Sequence, residues 1–400
     1  MKAGEVWVTG MGIVTALGLT LQEHLERLKA GQSGIGPPRI LRTRHTLPVG
    51  EVPHNDAALT RMLGSEGPLF FVRTALLGTW AARQALQQAG IHLQDVDPAT
   101  TGFISSTTVG GMTATEEYFY RYEKEEALHV WIDKLDCGDS TRDIACYLGH
   151  QGFSTTLSTA CSSSANAIML GARLIKAGRL KRVLCGGADA LCRFTLNGFH
   201  SLMLTEKVPC RPFDKHRQGL NLGEGAAFLV LEDSREAERR GAQPLARVAG
   251  YANTNDAFHQ TASSPEGEAA YEAMKQALAM AGIPPEKVSY VNTHGTGTPN
   301  NDESEGRALC RLFGQNLPPF SSTKPFTGHT LAAAGAVEAV FSILAIQEGQ
   351  LWPNLNFTEP MDDPSIVPVL KTTSAPVRTV VSNSFGFGGN NTSLVITAVS

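Results

Sequence analysis

The chain has 400 residues, 42% of them hydrophobic and 18% charged, with a net charge of −4 and 40 glycines. That length exceeds the ~250–300 residues at which a single core stops growing, so two domains or fused halves are expected. The composition excludes a disordered chain, a collagen-like chain and a coiled coil. The slightly negative balance leaves no global field to attract nucleic acid or anionic lipid.

Short β-branched runs alternate with Ala/Leu-rich stretches along the chain, the pattern of an α/β protein. The first strand is expected at Glu5–Thr9. It opens the apolar stretch Val6–Leu21, which lacks a basic start and a small-residue cleavage site and so reads as a buried strand entering a glycine corner. Helices follow at Leu21–Ala30 and Phe71–Ala89, then a strand at Thr101–Ser105. The charged and aromatic segment Arg121–Asp143 reads as an insertion that covers the site. A helix at Ser163–Ala177 and strands at Arg182–Cys185 and Ala226–Glu232 complete the first half. The seam is expected within Glu236–Pro244, dividing residues 1–240 from 241–400. The second half is expected to hold helices at Gly267–Ala281, Glu303–Phe313 and Ala333–Glu348, and strands at Ser289–Asn292, Val377–Ser382 and Leu394–Thr397. No run of ~20 apolar residues suggests membrane insertion. Seven scattered cysteines (137, 146, 161, 185, 192, 210 and 310) with no CxxC indicate free thiols and a cytoplasmic protein.

A faint duplication links the halves. Phe153-Ser-Thr-Thr, then Cys161, then a small-residue helix is matched by Phe320-Ser-Ser-Thr, then His329, then a small-residue helix. On this reading His329 occupies the position that matches Cys161. Cys161 stands at the first turn of its helix, where the positive end of the helix dipole favours thiolate, and its small neighbours allow a bulky substrate to approach. A buried inert thiol is the bland alternative, and it is the reading for the other six. His294, in Asn-Thr-His-Gly-Thr-Gly-Thr-Pro, lies among glycines and hydroxyl donors at a strand end. Lys324 lies five residues before His329 and Glu338 nine after it, spaced for a buried ion pair that is either structural or catalytic. The glycine-dense Ser384–Gly389 stretch lacks the Gly-Lys-Ser/Thr of a phosphate-binding loop, which argues against nucleotide binding.

Taken together, TACSSSA, NTHGTGTP, KPFTGHTLAAAGAVEA and NSFGFGG, in that order, resemble the elongating β-ketoacyl-acyl-carrier-protein synthases. The opening VTGMGIVTALG and the central CRPFDKHRQGLNLGEGAAFLVLE extend the resemblance over nearly the whole chain. It implies a thiolase-type five-layered αβαβα fold of two similar halves, usually dimeric. It also implies decarboxylative Claisen condensation between an acyl group on Cys161 and malonyl carrier protein. By the resemblance Cys161 is the nucleophile, and His294 and His329 complete a Cys-His-His set. Lys324, paired with Glu338, orders the site. Thr296 and Thr298 hold the phosphopantetheine arm, and Phe387 gates malonyl entry, with Phe385 beside it. The N–H groups of Cys161 and Phe387 form the oxyanion hole, and Val109 lies at the floor of the acyl pocket.

No metal and no cofactor is implied. The partners implied are acyl carrier protein, in acyl and malonyl forms, and a second subunit, either a copy of this chain or a related chain-length factor. His329 as third member distinguishes the chain from Cys-His-Asn initiating enzymes, and the absence of cysteine after Cys310 from thiolases. Cys161 speaks against a non-catalytic, pocket-shaping subunit. The short Leu204–Arg211 loop and the Asn221–Gly225 wording resemble ketosynthases of secondary pathways such as aryl-polyene or polyketide assembly. Carrier proteins of this kind are acidic, and Lys207, Arg211, Lys215 and Arg217 are the expected basic docking patch. The acyl chain is expected to end near Val109, Met112 and the aromatic residues Tyr118, Tyr120, Tyr122 and Trp131.

Overall fold

The computed structural model describes residues 4–64, 69–363 and 365–399. Ten strands form the large sheet: β1 (Val6–Thr15), β2 (Thr101–Ser106), β3 (Phe153–Leu157), β4 (Arg182–Asp189), β5 (Gly225–Asp233), β6 (Ala246–Asn255), β7 (Tyr290–Asn292), β8 (Phe320–Ser321), β9 (Thr379–Gly386) and β10 (Asn390–Thr397). Their spatial order is β8-β7-β9-β10-β6-β1-β5-β4-β2-β3. Each half therefore contains five strands in the same order, strand n of the first half matching strand n+5 of the second. β2 pairs parallel with β3 and β4, as β7 does with β8 and β9. Within the sheet the ladders of the two halves join where Trp7 and Val8 pair with Arg247 and Ala246.

Strand alternation creates the layers. On β5, Ala227, Leu229 and Leu231 face one apolar cluster, while Ala226, Phe228 and Val230 face another. On β10, Leu394 and Ile396 face that first cluster, and Val395 a third. The shared cluster is the middle layer between the two half-sheets. It is filled by two helices, α4 (Ser163–Lys176) and α8 (Ala334–Glu348). The outer clusters hold α2 (Arg73–Ala89) and α3 (Cys137–Tyr147) on one side, α6 (Glu268–Ala281) and α7 (Pro299–Phe313) on the other. These are the five αβαβα layers expected. α1 (Leu21–Ala30) starts with a capping box in which Thr20 and Glu23 satisfy each other's backbone N–H.

α8 is buried from Ala334 to Ala345, as a helix apolar all round must be when sheets cover both its faces. The stretch Leu331–Glu348 is long and apolar enough to cross a membrane, and it is 83% buried inside the fold. α4 and α8 pack closely at Gly335, where a Cβ would stand 2.8 Å from the Ala165 Cβ and 2.7 Å from its N.

The boundaries differ from expectation in instructive places. β1 runs on through Gly10 and Gly12 to Thr15, because every one of these residues pairs with β5. The expected glycine corner is strand. β9 reaches Gly386 because β10 pairs with it to its end. Arg121–Asp143 lies between β2 and β3, and Tyr118 and Trp131 stack at 5.4 Å against the outer cluster around α2. None of its residues lines the cavity at Cys161, so the expected cover over the site is absent.

Gly335→Val is expected to lower the thermal midpoint and destabilise the fold by ~1–3 kcal/mol, the usual cost of forcing bulk into a packed helix crossing. Differential scanning of the two proteins checks this, and an unchanged midpoint would refute the packing argument.

Candidate active site

The loops that leave the carboxyl ends of the parallel strands in both halves converge on one place, as ligand sites in α/β sheets do. β3 leads to Cys161, β7 to His294 and β8 to Lys324 and His329, while the end of β9 carries Phe385 and Phe387. Ala160, before the nucleophile, holds φ 51°, a left-handed turn that swings Cys161 to the helix start. Leu331 holds φ 52° at the same distance, three residues, before the first residue of α8. By this register the match to Cys161 is Ala332. His329 stands three residues earlier, not at the matching position expected.

The Cys161 sulfur and one ring nitrogen of each histidine lie within 4.8 Å of one another. All three residues are buried, and the imidazoles meet edge to face at 5.4 Å. Lys324 Nζ donates to the His294 carbonyl at 2.5 Å and to its Nδ1 at 3.2 Å, and pairs with Glu338. An ammonium can only donate, so the His294 proton sits on Nε2. The Leu331 N–H donates to His329 Nδ1 at 3.3 Å, which fixes the same tautomer there. Burial and the Lys324 charge hold both imidazoles well below the usual histidine range, and His329 adds to this for His294. Both are neutral Nε2–H donors aimed at the space above the thiol. A Cys-His-His cluster is also a possible set of metal ligands, but the adjacent Lys324 cation opposes a second positive charge.

Burial raises the Glu338 carboxyl to about 7 against the pull of Lys324. Cys161 departs from expectation. Burial pushes its thiol up to about 11, although Lys324 and the Phe387 N–H, which donates to it, pull the other way. Desolvation by burial outweighs Lys324 and the Phe387 N–H, and it favours the thiol form of Cys161.

The remaining candidates sort by the cavity of about 60 Å³ above Cys161. Thr296, Thr298, Phe385 and Phe387 line it together with the triad, and the two threonine hydroxyls are bonded at 2.8 Å. Val109 does not. It sits in an apolar cluster with Leu191, Leu196, Leu220 and Leu331, separated from the cavity by Leu220 and Phe199, which belong to both. The cavity has room for a few waters.

Phe199, on α5 (Arg193–Ser201), stacks on Phe387 at 5.6 Å and 20°, a partner for the glycine loop that the sequence did not single out. Glu305 was also missed. From α7 it accepts the N–H groups of His294 and Gly295 and the Asn383 amide, holding the histidine loop from below. Burial lifts this carboxyl to about 7. An acid on the inner face of a helix was its only signal.

The expected basic patch is broken up. Arg217 is buried and pairs with Glu303, with Asp302 3.8 Å away, and Lys215 pairs with Glu359. Arg211 is half-buried. Of the four, Lys207 alone is exposed and without an ion pair among the described residues. The exposed side chains near the cavity lining include a set of large apolar ones, Leu202, Met203 (85% exposed), Val208 and Phe258.

A layered fold of two matched halves with a Cys-His-His-Lys centre defines a thioester-handling condensing enzyme. The model of the beta-ketoacyl synthase N-terminal domain matches residues 3–237, and that of the C-terminal domain residues 245–358. The chain belongs to the β-ketoacyl synthase family. It is 35% identical over 410 residues to a 3-oxoacyl-[acyl-carrier-protein] synthase 2 of Synechocystis, covering 98% of each chain. Among solved structures, the ishigamide ketosynthase/chain length factor superposes with a TM-score of 0.93 at 31% identity over 100% of both chains. A type II polyketide synthase acyl-carrier protein in complex with its ketosynthase, bound to the hexaketide, matches with a TM-score of 0.88. The identity there is 29%, over 99% of this chain and 100% of that one.

Alkylation of Cys161 by iodoacetamide is expected to accelerate steadily as pH rises towards about 11, because the thiolate fraction grows until the pH passes the raised pKa. Lys324→Met removes a cation that lowers that pKa, so it should slow the reaction at any fixed pH below it. A rate that levels off by pH 8.5 would contradict the buried-thiol assignment.

Proposed function

We propose that the acyl group being elongated is held on Cys161, and that His294 and His329 carry out the decarboxylation that drives condensation. The observation that carries this division is the pair of neutral Nε2–H donors fixed by Lys324 and Leu331 beside a buried thiol. In the first half-reaction the Cys161 sulfur attacks the acyl-carrier thioester. The carbon–sulfur bond to the carrier breaks, and the Cys161 proton ends on the departing pantetheine thiol. A thiol suits this exchange because it is both a soft nucleophile and a good leaving group.

In the second half-reaction the malonyl carbon–carbon bond breaks and carbon dioxide leaves. The electron pair becomes an enolate whose oxygen accepts hydrogen bonds from both imidazoles. Neutral donors stabilise that charge without protonating the carbon. The carbanion then attacks the acyl-Cys161 carbonyl. The N–H groups of Cys161 and Phe387 receive the oxyanion, and collapse expels the sulfur as a thiolate, which takes up a proton from water to restore the thiol. Glu338 holds Lys324 in place. Thr296 and Thr298 are the binding positions for the pantetheine arm.

The chain divides near residue 240 into two thiolase-like halves, the first supplying the nucleophile and the second both histidines. Acyl carrier protein is the partner, delivering acyl and malonyl groups. A chain-length-factor subunit or a second copy completes the dimer, and the ishigamide ketosynthase/chain length factor supports the first of these. Val109 and its cluster form the floor of an acyl pocket that opens when Leu220 and Phe199 move apart. The chain works in the cytoplasm on a fatty-acid or polyketide pathway, with the unpaired cysteines supporting a reducing compartment.

Mixing the protein, alone and with candidate partner subunits, with acyl and malonyl carrier proteins is expected to release carbon dioxide and yield a product two carbons longer. Cys161→Ser should abolish it. His329→Ala should leave acyl-Cys161 formation intact by intact-mass measurement while decarboxylation falls ~10²-fold, the scale for losing one charge-stabilising donor. Loss of acylation with normal decarboxylation would overturn the division of roles.

The apolar rim leads to a separate expectation. Met203→Asp should slow acylation from carrier protein while transfer from a small acyl-pantetheine thioester is unchanged, and Lys207→Glu should change neither. The reverse pattern would restore a charged docking site.

A further inference from the structure

Asp189 is the last residue of β4 and is fully buried, and it forms no ion pair among the described residues. Its Oδ1 accepts from Thr107 Oγ1 at 2.5 Å and from the N–H groups of Thr108 and Val109, each at 3.0 Å. Its Oδ2 accepts from Thr108 Oγ1 at 2.6 Å and from the Ala332 N–H at 2.8 Å. One carboxylate thus binds the loop that follows β2 to the turn that precedes α8.

That turn aims His329. Ala332 follows Leu331, whose N–H donates to His329 Nδ1 and whose φ of 52° a non-glycine residue keeps only when its surroundings hold it. The geometry points to Asp189 as the positioning residue for His329: by fixing Ala332 it holds the Leu331 N–H on Nδ1, and so keeps the His329 proton on Nε2.

The matched half supplies an independent argument. Gly386 ends β9 at the register position where Asp189 ends β4, each the final pair of its ladder. A Cβ on Gly386 would stand 3.2 Å from the Cys161 N, just as Asp189 reaches the N–H of Ala332, the match of Cys161. The same backbone donor is capped by a carboxylate in one half and left open by a glycine in the other. The open one serves the acyl oxyanion, and the capped one becomes a fixed support. The other end of the Asp189 network is Val109, so the wall of the apolar cluster and the aim of His329 are held by one group.

This rests on the proposed division of roles, and the test separates the two. Asp189→Asn keeps the size but turns an NH₂ group towards the donors that one carboxylate oxygen had accepted, at least two of them, which lose that acceptor. In the full chain, with any partner subunit it requires, Cys161 acylation should be nearly unchanged while malonyl decarboxylation falls ~10-fold or more. That is a fraction of the ~10²-fold that deleting such a donor costs. In protein labelled with ¹⁵N-histidine, the His329 ring resonances should move from the Nε2–H tautomer towards a mixture.

If the wild type neither acylates nor decarboxylates, the functional reading fails. If it does both, and the variant decarboxylates normally with unmoved His329 resonances, the positioning role fails. An equal loss of acylation and decarboxylation also overturns it, because that marks a merely structural residue. Should Asp189→Asn not fold, Thr108→Val at an exposed residue removes one hydroxyl donor from the same carboxylate. A smaller drop confined to decarboxylation is expected, and no drop refutes the proposal.

Discussion

The contact between α4 and α8 at Gly335 and Ala165 is the constraint on which the rest depends. Two helices that share the layer between two half-sheets can lie this close only if the crossing point carries almost no side chain. Ser164 shows how tight it is, donating no bulk but accepting the Ala336 N–H at 2.9 Å. Because the halves are matched, both helix starts and the four strand ends that feed them arrive at the same spot. Cys161 from one half and His294 and His329 from the other then meet.

Electrostatics completes what packing begins. A single buried cation, Lys324, is shared between Glu338 and the carbonyl and ring of His294. Burial and its charge keep both imidazoles neutral, and its donor-only chemistry selects the tautomer of His294, as the Leu331 N–H does for His329. The same burial that lowers both imidazoles raises the Cys161 thiol.

The two-fold repetition of the fold is exact in strand order and deliberately inexact in chemistry. Where β4 ends in a carboxylate, β9 ends in glycine. Where one helix start presents a thiol, the other presents alanine with a histidine three residues before it. The second half between β7 and β8 has the long α7 carrying Glu305, where the first has the Arg121–Asp143 segment and α3. Duplication gives the scaffold two matched helix starts, and substitution at matching positions gives them different side chains.

Local pattern and motif order carried much of this. The small-residue helices, the β-branched strands and the four motifs around Cys161, His294, Lys324–His329 and Phe387 are contiguous signals, so the layers and the residues gathered at the cavity were legible. What the sequence could not determine depends on contacts between segments far apart in the chain. Whether Gly10 and Gly12 bend or pair is decided by β5, some two hundred residues on, whose ladder keeps them extended. Whether Arg217 is a docking charge or a buried strut is decided by Glu303 on α7. The state of the Cys161 thiol turns on how completely water is excluded, and the role of Asp189 on a turn that enters from the other half. Sequence determined which chemical groups are present and in what local conformation. Tertiary structure alone decided their solvation and their partners, because both are properties of the space between segments rather than of any segment itself.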